Sequence, residues 1–261
     1  MYPFDTVTTL SIVMILAAVL TFVGQQFQTA CYGRYALHSK FSLKLNPKLS
    51  WFVQESPAFF LPVYFILDHL FLNQFGIKSN QVKFTNLFLL SVFALHYFNR
   101  SMVYPFKTGS VNKIPIYITL LAFTFCCYNG YLQSKYLMNC HYDSDYMYSF
   151  NFIIGMSLFF IGMYLNIKSD SLMSDARKLR GPGTYVIPKG GLYEYVSCAN
   201  YFSEIIEWVG FAIACWSFPA FAFALYSISY MVPRAKQNHL WYLEHFKPYP
   251  KDRRILFPYI W

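Results

Sequence analysis

NIKSDSLMSDARKLRGPGTYVIPKGGLYEYVSCANYFSEIIEW, residues 166–208, is the longest polar interval in an otherwise apolar chain, and its reading decides the fold. Long apolar segments flank it on both sides. Across the 261 residues, 56% are hydrophobic and only 13% are charged, and the mean hydropathy is positive. That balance takes the chain out of the soluble class and predicts an all-α polytopic membrane protein. The apolar segments would then form a lipid-embedded container, and residues 166–208 its working part. No internal repeat, low-complexity tract or linker divides residues 1–261, so a single membrane domain is expected.

Upstream, TVTTLSIVMILAAVLTFVGQQ (6–26) lies in an uncharged interval between Asp5 and Arg34, long enough to cross ~30 Å of hydrocarbon. No Lys or Arg precedes it and no small-residue cleavage pattern closes it, so a retained first helix is expected in place of a removable signal. Further apolar runs cover 57–75, 84–98, 114–132, 150–165 and 205–232. Basic residues tend to stay on the cytosolic side of a membrane. If the segments after the first, third and fifth runs share that side with the C-terminus, only Lys78, Lys83 and Lys135 of the 21 basic residues fall opposite. The N-terminus is then luminal. This arrangement demands two crossings between Lys189 and Arg234. Pro219 interrupts the last run, and an apolar surface extends upstream through LYEYVSCANYF (192–202), so seven transmembrane helices fit better than six. The sixth would carry Glu194, Glu204 and Glu207, which is costly at bilayer depth unless the carboxylates face a polar cavity.

A formal charge of +9 raises nucleic acid as a partner, but the basic residues lie in short clusters between apolar runs and form no basic domain. The six cysteines, at 31, 126, 127, 140, 198 and 215, contain no CxxC pair and read as free thiols among helices. Neither GxGxxG after a strand nor GxxxxGK[ST] occurs, and HExxH and GxSxG are likewise missing. A soluble-type nucleotide domain, a zinc peptidase and a serine hydrolase are not supported.

Chemistry-bearing residues gather in four places. Gln54 and Glu55 stand just before Pro57, where a second helix is expected to start; a carboxylate there is a helix-dipole partner or the mouth of a cavity. His96, Tyr97, Asn99 and Arg100 crowd the end of the third apolar run, in the pattern of aromatic and basic anchors at a membrane interface. In the central stretch, Asn166, Asp170, Arg177, Lys178 and Arg180 run into GPG, then Tyr185, IPKGG, Asn200, Glu204 and Glu207. A solvated cytosolic loop accounts for the basic residues; phosphate binding by charge and close backbone approach is the functional alternative. Glu204 and Glu207, three apart, share roughly one helical face. Finally Arg234, Asn238, His239 and Tyr242 would lie along one side of the last helix, followed by the basic, proline-broken KPYPKDRR.

VQESP, LHYFNR, NIKSD, YVIPKGGLYEYVSCANYFSEIIEW and RAKQNHLWYLEHFKPYPKDRR together resemble the steroid 5-alpha-reductase family, from about Trp51 to the C-terminus. The likeness implies a seven-helix enzyme of the endoplasmic-reticulum membrane whose half from about residue 114 onward binds NADPH. Such an enzyme reduces the Δ4 double bond of a 3-oxo steroid without flavin or metal, and no protein partner or nucleic acid is implied. By the same resemblance, Glu55 and Tyr97 polarise the substrate carbonyl with Gln54 beside them. Cofactor contacts fall on Asn166, Asp170, Arg177, Tyr185, Asn200, Glu204, Arg234, Asn238 and Tyr242. Asn238 stands where some members carry histidine, and Lys168 and RKLRGPG differ from the vertebrate pattern.

Two other readings make different demands. A reductase of trans-2-enoyl-CoA or of a polyprenoid would share the C-terminal block but not the Gln54–Glu55 pair. A non-catalytic transporter or sterol-binding protein would use Asp68, Glu204 and Glu207 along a solute path.

Overall fold

A computed structural model describes residues 5–29, 35, 43–74, 82–109, 112–180 and 185–261. Cys31, Arg34, Lys40, Lys78 and the GPG run at 181–183 lie outside the described residues. Within them, helices α1 (Thr6–Phe27), α2 (Pro47–Gln74), α3 (Phe84–Phe98), α4 (Tyr104–Lys107), α5 (Ile116–Leu137), α6 (Phe150–Arg180), α7 (Ala199–Cys215) and α8 (Phe218–His245) follow one another. Seven of these run to 15 residues or more, and α4 is a single turn. A two-residue antiparallel pair, β1 (Lys44–Leu45) with β2 (Ile114–Pro115), ties the entry of α2 to that of α5. Two helical stretches, Thr6–Phe27 and Phe150–Leu179, are long and apolar enough to cross a membrane. Exposed Leu16, Leu20, Tyr64, Leu67, Leu120 and Ile161 on α1, α2, α5 and α6 give the bundle the apolar exterior that lipid favours.

Local chemistry sets the helix ends. Asp5 caps α1 by accepting from the Thr8 amide at 2.8 Å. α2 does not begin at Pro57: it starts at Pro47 and runs through both Pro57 and Pro62, which places Gln54 and Glu55 in its interior. The long run 205–232 breaks at Trp216, whose φ of 45° ends α7 in the left-handed conformation. Ser217 then caps α8 by accepting from the Ala220 amide at 3.3 Å. Pro219 consequently sits in the first turn of α8, where its missing N–H would have no helical acceptor, and it marks a helix start, not a kink. The upstream extension through 192–202 is also revised: residues 191–194 form a 3₁₀ turn and α7 starts only at Ala199, leaving Glu194 outside it.

α6 and α7 pack most intimately. A Cβ on Gly155, Gly162 or Gly210 would stand 2.3, 2.4 or 2.5 Å from a backbone nitrogen of the facing helix, so the two backbones meet along a glycine seam of the kind that membrane helices use. Around it sits an aromatic core of Phe93, Phe159, Trp208, Phe211 and Phe223. The C-terminal tail folds back as a parallel partner of the segment before α7: Ser197 N–H donates to the Arg254 carbonyl at 2.8 Å, and Arg254 N–H to the Tyr195 carbonyl at 2.8 Å.

Candidate active site

A cavity of about 490 Å³ opens between α2, α3 and α5 on one side and α6, α7 and α8 on the other. Its two ends differ in chemistry. Ile118, Leu121 and Phe125 of α5 with Phe223 and Tyr226 of α8 make an apolar half. Arg100, Asp170, Arg177, Asn200, Glu204 and Arg234 make a charged half.

Gln54, Glu55 and Tyr97 line the same cavity. The Cys126 thiol donates to Glu55 Oε2 at 3.7 Å. Tyr97 is held more elaborately. Gln133 donates through Nε2 to the Pro219 carbonyl and to Asn129 Oδ1, both at 3.1 Å. That contact turns the Asn129 amide nitrogen toward the Tyr97 phenol oxygen, 3.4 Å away. Because the phenol oxygen accepts there, its own proton is left to be donated into the cavity. Sequence reading missed Asn129 and Gln133. They lie four apart in α5 (i, i+4), a signal of a shared helical face that is visible in NGYLQ once Tyr97 is known to face them.

His96, Tyr97 and Arg100 are not interfacial anchors. They are 3%, 4% and 9% exposed, and α3 passes into a π-helical turn, Asn99–Val103, that carries Arg100. The Arg100 guanidinium lies 4.8 Å from the Trp51 ring centroid and 4.5 Å from that of Tyr104. It also donates to Asp170 Oδ2 at 3.1 Å. Replacing Arg100 by Met would leave Asp170 charged and buried without its partner. We expect a stability loss of about 3–5 kcal/mol, read as a lower thermal unfolding midpoint in detergent, with Asp170→Asn in the same chain recovering part of it. An unchanged midpoint for Arg100→Met contradicts this.

The polar stretch does not start as a solvated loop, because α6 stays helical to Arg180. Asp170, Met173 and Arg177, spaced at one helical turn or two, therefore face the cavity together. Arg177 donates to the Thr108 carbonyl at 3.2 Å. Asn200 donates to Asp170 Oδ1 at 3.3 Å, and Tyr185 accepts from Asn112 Nδ2 at 2.7 Å. On α8, Arg234 donates through Nε to the Tyr201 hydroxyl at 3.1 Å, and Asn238 and Tyr242 line the wall beyond it. Asn166 is the exception among the expected contacts: it does not line the cavity. Buried behind the wall, it donates to the Asn200 carbonyl at 2.9 Å and to Glu204 Oε2 at 3.5 Å, orienting two residues that do.

The tail closes this end. Ser197 Oγ lies 2.6 Å from both His239 Nδ1 and the Tyr249 hydroxyl, and Tyr249 stacks on Tyr242 with centroids 5.3 Å apart. Burial pushes the Tyr249 phenol above its ordinary pKa, outweighing the lowering effect of Ser197 and Arg253, so it stays protonated at neutral pH. Arg253, read in sequence as part of a basic tail, is buried and donates to the Pro188 carbonyl at 3.1 Å. Among the described residues no group of three His, Cys, Asp or Glu side chains is placed to hold a metal ion, and Cys126, Cys127, Cys140, Cys198 and Cys215 are free thiols.

Residues 112–261, which supply α5 to α8 and the whole charged half of the cavity except Arg100, match the family described as 3-oxo-5-alpha-steroid 4-dehydrogenase. The likeness extends over α2 and α3 too. The chain is 42% identical over 233 residues to 3-oxo-5-alpha-steroid 4-dehydrogenase 1 of Bos taurus, covering 88% of this chain and 87% of that protein. The chain belongs to the 3-oxo-5-alpha-steroid 4-dehydrogenase family. A human relative of the same name is 40% identical over 244 residues, covering 92% of this chain and 89% of that protein. Steroid 5-alpha-reductase DET2 of Arabidopsis thaliana is 38% identical over 259 residues, covering 95% and 94%. Within the 3-oxo-5-alpha-steroid 4-dehydrogenase family, these alignments span animals and plants at nearly full length, so the two-ended cavity is assembled from matched sequence on both sides.

Proposed function

We propose that the protein is a membrane enzyme that uses NADPH to reduce the Δ4 double bond of 3-oxo-Δ4 steroids, giving 5-alpha-reduced 3-oxo products. The observation that carries this reading is the meeting, in the wall of one cavity, of Glu55 and Tyr97 with an apolar half on one side and a charged half on the other. A rigid apolar ligand with one terminal carbonyl suits the first half. A dinucleotide suits the second: Arg177 and Arg234 are donors for phosphate oxygens, and Asp170, Asn200, Glu204 and Asn238 are partners for ribose hydroxyls and a carboxamide. Tyr185 and Tyr242 add flat walls.

NADPH, when bound, supplies the hydride. The protein's residues do the rest. Tyr97 donates a hydrogen bond through its phenol O–H to the enone oxygen, and the Glu55 carboxyl supplies the second polar contact to it. Negative charge that develops on that oxygen is thereby stabilised, which makes the β-carbon electrophilic; the enolate left when hydride adds there is discharged by a proton taken up at the α-carbon from solvent. Asn129 and Cys126 hold the two groups in place. Asn166 acts one layer back, through Asn200 and Glu204. Trp208 and Phe223, both buried, form an apolar wall of the cavity beside Tyr97.

The same proposal includes seven membrane crossings with a luminal N-terminus and a cytosolic C-terminus, in the endoplasmic-reticulum membrane. The skew of Lys and Arg to one side supports it, as does the cytosolic supply of NADPH that the charged half would draw on. Residues 1–261 act as one unit, since the cavity is lined from Trp51 to Tyr242 and α1 packs against α8. Its partners are the steroid, the cofactor and lipid.

Membranes carrying the protein, given NADPH and in turn progesterone, testosterone, a trans-2-enoyl-CoA and a polyprenoid, separate this reading from its neighbours by mass spectrometry. The expected result is a gain of two hydrogens on the steroids. Reduction of the enoyl-CoA or polyprenoid alone would replace the steroid reading.

A further inference from the structure

One buried pair next to the cavity has no part in the reaction above. His96 Nδ1 and Glu207 Oε1 lie 2.6 Å apart, with side chains 3% and 0% exposed. Neither lines the cavity. The other carboxyl oxygen, Glu207 Oε2, has no hydrogen-bond partner among the described residues. Burying a carboxyl group with one oxygen bare is costly, and apolar side chains of equal volume would often fill such a site with less loss. The pair therefore does not earn its place as a source of stability.

Its position indicates what it does. His96 is the residue before Tyr97 on α3, and Glu207 the residue before Trp208 on α7. The Trp208 indole packs on the His96 ring at 4.4 Å and on the Tyr97 ring at 5.8 Å, and both Tyr97 and Trp208 line the cavity. One turn earlier on α7, Glu204 lines the charged half. α3 packs mainly on α2 and α5, and α7 mainly on α6 and α8, so the pair adds a directional tie between the substrate-side and cofactor-side helices. Glu207 cannot retreat, because its backbone nitrogen is already close enough to Gly162 to forbid a Cβ there, at 2.4 Å.

We propose that His96 and Glu207 are positioning residues: their hydrogen bond sets the register of the α3 end against α7, and so aims Tyr97 at the reacting carbonyl while the cofactor face stays fixed. This rests on the reductase reading, because only there is Tyr97 a catalytic residue. Small misplacements of a reacting group cost turnover far more than they cost binding.

The test uses the full chain in membranes with NADPH and progesterone, and compares His96→Leu, Glu207→Leu, their double variant, and the conservative His96→Asn and Glu207→Gln. Asn can place a donor where Nδ1 stands, and Gln an acceptor where Oε1 stands. We expect each Leu variant to lose about 10- to 100-fold in kcat, with KM for both ligands within about threefold. The double variant should be no worse than the poorer single one, and the conservative variants should recover several-fold. If the Leu variants do not accumulate as folded protein, the conservative pair and its double variant are read for the same coupling. Unchanged kcat in the folded variants, multiplied losses in the double, or a KM rise that accounts for the whole effect overturns the proposal. A wild type that converts no 3-oxo-Δ4 steroid sinks the reductase reading itself, whereas an active wild type with indifferent variants sinks only the pair.

Discussion

Tyr97→Phe should lower steroid turnover by about 10²–10³-fold, the effect of deleting one preorganised donor to a developing oxyanion, while KM for NADPH stays near the wild-type value. The ring would remain in place, since Phe93, His96 and Trp208 hold it at centroid distances of 4.9, 5.0 and 5.8 Å. Only the hydroxyl is lost, and with it the acceptor of Asn129. Glu55→Leu, which removes the carboxyl and leaves no amide N–H to donate in its place, should produce a loss of similar kind. Because the two groups act on one oxygen, the double variant should lose less than the product of the single losses. Steady-state kinetics with each ligand varied separately checks this. If both single variants turn over like the wild type, the polarising assignment fails.

Gly162→Ala should be among the most damaging small substitutions for folding. Its Cβ would stand 2.4 Å from the Glu207 nitrogen and 2.7 Å from the Glu207 Cα, both backbone atoms that cannot rotate away. Relief requires α6 and α7 to separate, and overpacking of this sort costs about 1–3 kcal/mol, occasionally more. Separation would also displace Glu207 from His96, so activity should fall further than stability alone accounts for. Gly24→Ala is the matched control: nothing lies within 4 Å of its Cβ, and a helical Gly→Ala change is neutral or favourable by about 0.5–1 kcal/mol. Thermal unfolding in detergent should show a lowered midpoint for Gly162→Ala and none for Gly24→Ala. Equal midpoints would contradict the close seam.

Much of the fold was legible because lipid-facing helices must be apolar. The runs at 6–26, 84–98 and 150–165 each emerged as helix, and the charge skew that demanded two segments between Lys189 and Arg234 corresponds to α7 and α8. Boundaries were less legible, for definable reasons. Pro57 reads as a helix start, yet α2 carries it internally after beginning at Pro47. Trp216 ends α7 in a conformation that no local residue type announces, since glycine is the usual signal there. Residues 166–180 look like a loop because their charges mask a helical face that only the cavity reveals.

For the site, residue identity could be read from motifs, but burial could not. Arg100 and Arg253 look like surface charges in sequence. In the fold, Arg100 is enclosed by Trp51, Tyr104 and Asp170, and Arg253 reaches a backbone carbonyl some sixty residues upstream. Asn129 and Gln133 sit in an apolar run without any motif around them. His96 and Glu207 are 111 residues apart, and nothing local in either segment points to the other. Such pairs are set by how helices cross, which is tertiary information.

One cavity is expected to present an enone, polarised by Tyr97 and Glu55, to the nicotinamide of NADPH. Isotope transfer tests it most directly. Membranes carrying the protein are incubated with NADPH deuterated at the transferable position and with progesterone, and the product is located by mass spectrometry and NMR. The account predicts one deuterium at C5, the β-carbon of the enone, with the C4 hydrogen drawn from solvent, and a loss of labelled product in Tyr97→Phe. Deuterium at C4, product without deuterium, or undiminished labelling in the Tyr97→Phe and Glu55→Leu double variant would contradict it.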